Sequence, residues 1–408
     1  MIRKLQKASL LVFLLYLTWF KEAYYSIEYI QYISIGFLTV LVIIEAVAKG
    51  GFRKVQLNRF FVTFGLFGLY AFLTGLFLAK NQALFFLYIA RYLVFFIVCL
   101  DCIYIYNREQ SMQWLFQILL ICALVCSLQT LFAGASYNNG IRVTTMSRHN
   151  NPNKLGLIVV LGTFALLQDY ERFSKRLIIN FALLAIFSYT IVLTASRKMF
   201  IALVVLIIMW AVRYFKTELT EGKSWRKGVG VLLLFASAIG VIYFLRNNYS
   251  STALFARMGV LRTGSYSLDM REIMYKEAFQ LWLEHPFFGV GYAQFGEYTS
   301  THYIYSHSTY AEILSCTGAI GTLLFFVPLF NEFIKSIKLV VKAPKKNNGE
   351  RVYRYAMLVA FFVVELFLGT TQILIYEIEQ MLALTILFVE VDHETRERAL
   401  SLQGEEQK

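Results

Sequence analysis

The sequence predicts an all-α polytopic integral membrane protein with about twelve transmembrane helices and one large extracytoplasmic loop. Hydrophobic residues make up 58% of the chain and charged residues 16%, a composition far from that of a soluble domain. Apolar runs of 17 or more residues recur along the chain, and each can cross ~30 Å of hydrocarbon as a helix. A β-barrel would need short alternating strands, so we interpret the runs as helices.

The predicted spans follow one another along the whole chain. They are residues 8–20, 28–47, 58–79, 82–106, 112–134, 153–169, 176–195, 198–215, 229–245, 318–341, 355–373 and 376–391. Residues 1–20 resemble a signal peptide, but no small-residue cleavage site follows them. We therefore predict a retained first helix.

The distribution of positive charge predicts the orientation of these helices. With the N-terminus in the cytoplasm, 26 of the 39 Lys and Arg residues fall on the cytoplasmic side and 12 on the outer side. Cytoplasmic loops normally carry the excess of positive residues, so both termini are predicted inside and the large loop outside. The net charge of +13 then reflects topology in the cytoplasmic membrane rather than nucleic-acid binding.

We predict three parts of the chain. Residues 1–139 form N-terminal transmembrane helices, residues 140–330 form a core, and residues 331–408 form C-terminal transmembrane helices with a cytoplasmic tail. The core includes the large outer loop, residues 246–317, which is the only long polar stretch of the sequence. A reaction carried out by this protein is expected there.

Some Lys and Arg residues are predicted on the outer side, where positive residues are normally rare, so they need an explanation other than topology. Residues 141–156 are rich in Asn, which predicts a turn and a helix start at Pro152. This does not account for two arginines on the disfavoured side, so substrate contact stands beside the turn as an interpretation. The candidate substrate-binding residues here are Arg142, Arg148 and Asn153.

A second exception is the turn Ser196, Arg197 and Lys198, which interrupts a pair of apolar spans. Charges at membrane depth are expensive and usually mark a site or a pairing partner. The alternative is that both side chains snorkel toward lipid headgroups. We favour a functional role for Arg197.

The large loop contains a third group of cations and a predicted amphipathic helix over residues 267–285. This helix is expected to lie on the membrane surface or to pack on the bundle. Its spacing places Arg271 one turn before Tyr275 on the same face. Pro286 ends the helix, and Gly289 and Gly291 predict a flexible turn.

A histidine follows in the same loop. Thr309 and Glu312 match the capping-box spacing and predict a helix start at about residue 309, with His307 just outside it. A helix N-terminus disfavours imidazolium, so a neutral, basic imidazole is expected. An ordinary cap or surface histidine is the alternative. Arg262 and Tyr305 of this loop are further candidate substrate-binding residues.

Two buried charges have a structural interpretation. Arg91 is the only full positive charge well inside a predicted span, and Glu365, the other buried charge, is one candidate partner for it on another helix. We favour structural pairing over catalysis for both residues. The C-x-x-C formed by Cys99 and Cys102 lies inside a helix without a second pair, which predicts packing rather than metal or redox chemistry.

These motifs, taken in order, resemble the superfamily of O-antigen ligases and O-antigen/capsular polysaccharide polymerases. The matching positions are Ser196-Arg197, Arg271 on a loop helix, the Pro-x-x-Gly-x-Gly turn of residues 286–291, His307-Ser308, and a helix with Gly318 and Gly321. The resemblance covers roughly residues 140–330, and the other spans agree only in number and hydropathy. Two departures are Ser308, where Asn is common, and Lys198, where a small residue is common.

The resemblance implies a GT-C-like, metal-independent, inverting glycosyltransferase without a cofactor. Its donor would be an oligosaccharide linked to undecaprenyl diphosphate, and its acceptor a glycan hydroxyl. His307 would be the base or acceptor-orienting group, with Arg197 and Arg271 on the diphosphate and Gly289 and Gly291 contacting substrate. The sequence itself also gives no indication of a metal site, because it has no D-x-D motif and no His/Cys/carboxylate cluster.

Three functions stay open at this point. A polymerase would extend lipid-linked repeat units in the membrane, with a flippase and a chain-length regulator as candidate partners. A ligase would move the finished glycan to a lipid or cell-wall acceptor, using the same donor. We favour the polymerase because the Lys-, Tyr- and Phe-rich, Pro-poor composition suits a Gram-positive source without a lipid A core. A transporter would need paired half-repeats, which the sequence lacks.

Overall fold

The computed structural model describes residues 1–17, 29–49, 59–132, 136–138, 142–144, 152–220, 266–300, 303–343 and 349–406. Within these ranges the chain is helical apart from one short hairpin. The predicted span 229–245 and the candidate residues Arg148 and Arg262 lie outside the described residues.

The described elements follow the predicted order of spans. The helices are α1 (Ile2–Leu15), α2 (Tyr29–Ala48), α3 (Arg59–Leu78), α4 (Gln82–Glu109), α5 (Gln113–Phe132), α6 (Pro152–Leu167), α7 (Tyr170–Lys175), α8 (Leu177–Leu193), α9 (Arg197–Thr220), α10 (Tyr266–Glu284), α11 (Phe295–Tyr298), α12 (Thr309–Val341), α13 (Gly349–Gly369) and α14 (Ile378–Glu406). Strands β1 (Ser136–Asn138) and β2 (Arg142–Thr144) pair antiparallel, and a 3-10 turn covers Leu374–Tyr376.

Six of the described helices are long and apolar enough to cross a membrane, namely α2, α3, α4, α5, α12 and α13. Two further apolar helices, α6 and α8, are shorter. The protein is therefore an α-helical polytopic membrane protein, as the composition predicts. The total number of crossings and the side of each loop stay predictions.

The helices form two compact units that interleave along the chain. The first unit comprises Met1–Leu41, Gln113–Thr263 and Ala343–Phe361, and the second comprises Val42–Met112, Gly264–Lys342 and Phe362–Lys408. In the first unit, α6 is buried along almost its whole length. A Cβ at Gly162 of α6 would lie 2.2 Å from Cβ of Ala123 in α5, so glycine permits the close approach of these two helices.

The second unit has an aromatic core between α3, α12 and α14. Phe64 and Phe67 of α3 lie with their ring centroids 5.6 Å and 5.2 Å from the ring of Phe325 in α12. Phe388 of α14 lies 5.8 Å from Phe64. Edge-to-face pairs of this kind favour one fixed arrangement of the three helices over a fluid one.

Polar contacts mark the two ends of this second unit. At one end the Glu332 carboxylate lies 3.2 Å from the Arg59 guanidinium and 2.5 Å from Lys335. At the other end the Asn81 backbone N–H donates to Gln294 at 2.7 Å, and its side-chain amide donates to Glu297 at 2.8 Å. Segments predicted to share a side of the membrane therefore meet in the structure.

Helix α12 is broken at Gly318, where φ is 64° and ψ is −167°. The break separates a short half-helix, residues 309–317, from the longer part of α12. We call it the outer half-helix after its predicted side of the membrane. A helix end leaves carbonyl groups without intrahelical partners. Here the N–H groups of Val290 and Gly291 donate to the carbonyls of Ser315 and Cys316 at 3.1 Å and 2.9 Å.

The start of the longer part of α12 is paired in the same way. The N–H groups of Ala319 and Ile320 donate to the carbonyls of Pro286 and Phe287 at 2.8 Å and 3.2 Å. The turn of residues 286–291 therefore donates backbone hydrogen bonds to the carbonyls before the break in α12 and accepts them from the N–H groups after it. We call this set of four hydrogen bonds the turn–break lock.

Glycine is required on both sides of the turn–break lock. Gly289 has φ of 72°, and a Cβ there would lie 2.4 Å from the carbonyl carbon of Cys316. A Cβ on Gly318 would lie 2.4 Å from the carbonyl of Phe287. The predicted turn is present, and its glycines serve close approach between two backbones joined by hydrogen bonds.

Replacing Gly318 by Ala should destabilise the protein by about 3 kcal/mol, because its backbone conformation is essentially restricted to glycine and the added methyl meets a backbone carbonyl. The measurement is the unfolding midpoint of the purified protein in detergent. Gly36→Ala is the matched control, since a Cβ at Gly36 would meet nothing within 4 Å. Equal stability of the two variants would contradict the proposed role of Gly318.

Candidate active site

Helix α10 covers the outer half-helix. Its buried residues Met274, Ala278 and Leu281 share a core with Val290 of the turn and Cys316 of α12. Of the two predicted placements for this amphipathic helix, the structure therefore shows packing on the bundle within the second unit.

Arg271 lies near Tyr275, as the helical spacing predicts. The Tyr275 hydroxyl donates to the carbonyl of Thr370 at 2.8 Å, which fixes the side of α10 that carries the arginine. Burial raises the pKa of Tyr275, and the nearby Arg271 guanidinium offsets part of that rise. Arg271 is half-buried and has no ion pair among the residues that the structure describes, whereas Lys276 pairs with Glu272 at 2.8 Å.

His307 lies immediately before α12, as predicted. Its backbone has φ of 58°, in the left-handed region that residues other than glycine rarely adopt. Its half-buried ring lies 4.6 Å from the ring of Tyr305 and 5.9 Å from the ring of Tyr303. Strained conformations of this kind cost about 1–3 kcal/mol and persist where surrounding contacts impose them.

Helix α12 starts at Thr309 as predicted, but the predicted capping box between Thr309 and Glu312 does not form. Ser308 is the N-cap of α12, and its hydroxyl accepts from the Ala311 N–H at 3.5 Å. Thr309 instead donates its hydroxyl to the Gln372 carbonyl at 2.6 Å and accepts from the Leu374 N–H at 2.9 Å. The Thr309 hydroxyl is thus bonded to a segment more than 60 residues away in the chain. Local sequence spacing does not reveal such a partner.

Glu312 holds the segment before the helix. Its buried carboxylate accepts from the Ser306 N–H at 2.7 Å and from the Tyr376 hydroxyl at 3.1 Å. The two hydrogen bonds fix the backbone next to His307 from inside the unit.

A group of tyrosines surrounds this point, and the sequence analysis missed it. The Tyr376 ring lies 4.7 Å from Tyr88, 5.7 Å from Tyr292 and 6.3 Å from Tyr305, measured between ring centroids. These residues come from α4, from the turn region, from the segment before α12 and from the 3-10 turn. The only signal in the sequence was an abundance of tyrosine, with 26 in the chain.

Arg91 belongs to the same region, and it forms an ion pair, but with Glu377 and not with the suggested partner Glu365. The guanidinium lies 3.5 Å from the carboxylate of Glu377, which follows the 3-10 turn. Glu365 is buried, and neither of its carboxylate oxygens has a hydrogen-bond partner within the described part of the chain. Arg91 pairs with Glu377 because the segment before α14 folds back beside α4.

The first unit brings two other predicted residues together. The Ser196 hydroxyl donates to the side-chain oxygen of Asn153 at 2.9 Å, which ties the start of α6 to the turn before α9. Ala195 has φ of 51°, so this turn is tight, and α9 begins at Arg197. Arg197 and Lys198 are half-buried. Arg142 lies on β2, opposite Asn138.

The predicted site residues therefore form two groups. Arg271, Tyr305, His307 and the turn of residues 286–291 gather around the outer half-helix in the second unit, whereas Asn153 and Arg197 lie in the first unit. Gly289 and Gly291 are buried, which indicates a structural role for them. The joining of the two groups into one site stays a prediction.

No group of three His, Cys, Asp or Glu side chains could hold a metal ion within the described residues. The five cysteines are free and buried. The metal-free chemistry itself stays a prediction.

Residues 181–326 match a family model described as O-antigen ligase. The match supports the resemblance to the O-antigen ligase and polymerase superfamily over residues that lie inside the predicted core. Arg197, Arg271 and His307 all fall within the matched residues. A search of curated proteins gives no match to this chain.

Replacing Glu312 by Ala should lower the free energy of unfolding by about 3 kcal/mol, because it leaves two buried donors, the Ser306 N–H and the Tyr376 hydroxyl, without acceptors. Thermal unfolding in detergent measures this. Glu365→Ala is the comparison, since its carboxylate has no hydrogen-bond partner among the described residues, and only its packing is lost. A larger loss for Glu365→Ala would contradict the role given to Glu312.

Proposed function

We propose that the protein is a polysaccharide polymerase. It transfers an oligosaccharide from undecaprenyl diphosphate to a glycan hydroxyl at the outer face of the cytoplasmic membrane. The observation that carries the proposal is His307, which lies within the residues that match the O-antigen ligase model and is held in a left-handed conformation just before the capped end of the outer half-helix.

The chemistry needs a base and a cradle for the leaving group. The acceptor hydroxyl attacks the anomeric carbon of the donor while the bond from that carbon to the diphosphate breaks. The hydroxyl proton passes to the His307 imidazole. The diphosphate leaves with its negative charge, which Arg197 and Arg271 stabilise through planar, two-pronged hydrogen bonds.

The position of His307 suits its role as a base. The N-terminal end of a helix disfavours a positive charge, and a general base acts through a neutral imidazole. The Tyr305 and Tyr303 rings beside it limit its orientation. Arg271 supports the proposal because it is half-exposed and without an ion pair in the described chain, and is therefore available for an anionic ligand.

The broken helix argues against a transporter. In transporters, the free ends of half-helices point at substrate or ions. Here the turn–break lock occupies two carbonyls and two amides at the break, and the Tyr70 hydroxyl donates to a third carbonyl, that of Thr317, at 2.9 Å. These groups support the fold and are not open to an ion.

A ligase is the second candidate, because the matching family is described as O-antigen ligase. The ligase would use the same donor and the same three residues. The two functions differ only in the acceptor, so the products decide between them.

The test is an assay of the purified protein with lipid-linked repeat units as the only glycan. We expect a ladder of longer chains that remain on undecaprenyl diphosphate. A protein that uses the donor only after a different lipid or wall acceptor is added is a ligase. Absence of transfer to any of these acceptors would contradict both functions.

In the same assay, His307→Ala should lower turnover by about 10²–10⁴-fold, the usual contribution of a general base. His285→Ala is the matched control, since it lies in the same loop and is exposed. Arg271→Ala should lower turnover by about 10²-fold or more, while Lys276→Ala, on the same helix, should not. Near-normal turnover of His307→Ala would overturn the assignment of the base.

A further inference from the structure

A cavity of about 140 Å³ lies in the first unit, away from Ser196 and Asn153. Helices α5, α6, α7 and α8 line it. A single water needs only ~15 Å³ of such space, so the cavity accommodates a group of several heavy atoms. Its polar lining consists of Gln113, Gln117, Asp169, Arg172, Arg176 and Asn180.

Two guanidinium groups of this lining have unused donors. Arg172 donates one side-chain N–H to Gln113 at 3.0 Å, and Arg176 has no side-chain partner among the described residues. The one carboxylate of the lining, Asp169, accepts from the Arg172 backbone N–H at 2.9 Å and so caps α7. Both arginines are exposed and face no ion-pair partner in the part of the chain that is described.

The end of the cavity away from α7 is lined by the aliphatic side chains Leu120 and Leu183. On α5 it is lined at Gln113, Gln117 and Leu120, and on α8 at Ile179 and Leu183. Leu183 follows Arg176 by seven residues, which corresponds to about 10 Å along a helix. The aliphatic end of the cavity therefore lies about 10 Å from the guanidinium groups. Both helices run away from α7 in the same sense, because each begins beside it.

The outside of this cavity is apolar as well. Ile178 and Ile179 at the start of α8 are 76% and 61% exposed. In a membrane protein, aliphatic side chains that face outward contact lipid. The predicted topology places α7 at the cytoplasmic surface, where anionic lipids attract basic side chains.

We propose that this cavity binds an anionic phospholipid. The phosphate contacts Arg172 and Arg176, and one acyl chain follows the surface formed by Leu120 and Leu183. Guanidinium groups match phosphate through paired hydrogen bonds, and the aliphatic end matches a hydrocarbon chain. This site is independent of the proposed glycosyl transfer.

The test is native mass spectrometry of the full-length protein, freed of lipid in detergent and titrated with phosphatidylglycerol or phosphatidylcholine of equal chain length. We expect phosphatidylglycerol to bind more tightly. Arg176→Gln should weaken that binding about fivefold, and Arg172→Gln/Arg176→Gln should weaken it more than tenfold. Lys175→Gln removes a neighbouring charge that does not line the cavity, and should leave binding unchanged.

Two results would overturn the proposal. Equal losses for Arg176→Gln and Lys175→Gln would mean that general surface charge attracts the lipid. Displacement of the lipid by an equal concentration of inorganic phosphate would mean that the site holds a free anion. Unfolding midpoints of all variants, expected to match that of the native protein, show that losses arise from binding.

Discussion

The second unit depends on the turn–break lock. A helix that stops inside a membrane protein exposes backbone groups that lipid cannot satisfy, and each such group costs several kcal/mol. The turn of residues 286–291 supplies matching donors and acceptors at 2.8–3.2 Å, and glycines at 289 and 318 let the two backbones meet. The break in turn creates the outer half-helix, which has Glu312 in its first turn, Ser308 as its N-cap and His307 just before the cap. The candidate base is thus placed by backbone hydrogen bonds far from it in sequence.

Local patterns in the sequence predicted the helices but not their partners. Hydropathy located the apolar spans, and apolar spacing predicted α10 and the position of Arg271 beside Tyr275. The spacing of Thr309 and Glu312 predicted the start of α12, but both side chains bind residues beyond 370 and Ser308 takes the cap. Arg91 pairs with Glu377 rather than with the suggested partner Glu365 for the same reason. Pairings between distant segments depend on tertiary packing, which no local period encodes.

A network of buried polar groups holds the candidate site. Glu312 is satisfied by Ser306 and Tyr376, and Thr309 by the connection between α13 and α14. Such networks make a unique backbone geometry stable because a partial network is costly. That geometry includes the left-handed conformation of His307. We therefore infer that the tyrosine group and Glu312 fix the position of the His307 imidazole, which the proposed mechanism places beside the acceptor hydroxyl.

The central claim is that His307, Arg197 and Arg271 act on one lipid diphosphate. The most direct measurement is an experimental structure of the protein bound to a phosphonate analogue of the donor, which cannot transfer its sugar. The account predicts both arginines within hydrogen-bond distance of the phosphonate and phosphate oxygens, with the His307 imidazole on the face of the anomeric carbon opposite the phosphonate, where the acceptor hydroxyl attacks. A diphosphate group bound without contact to either arginine, or with His307 on the same face of the sugar as the phosphonate, would contradict it.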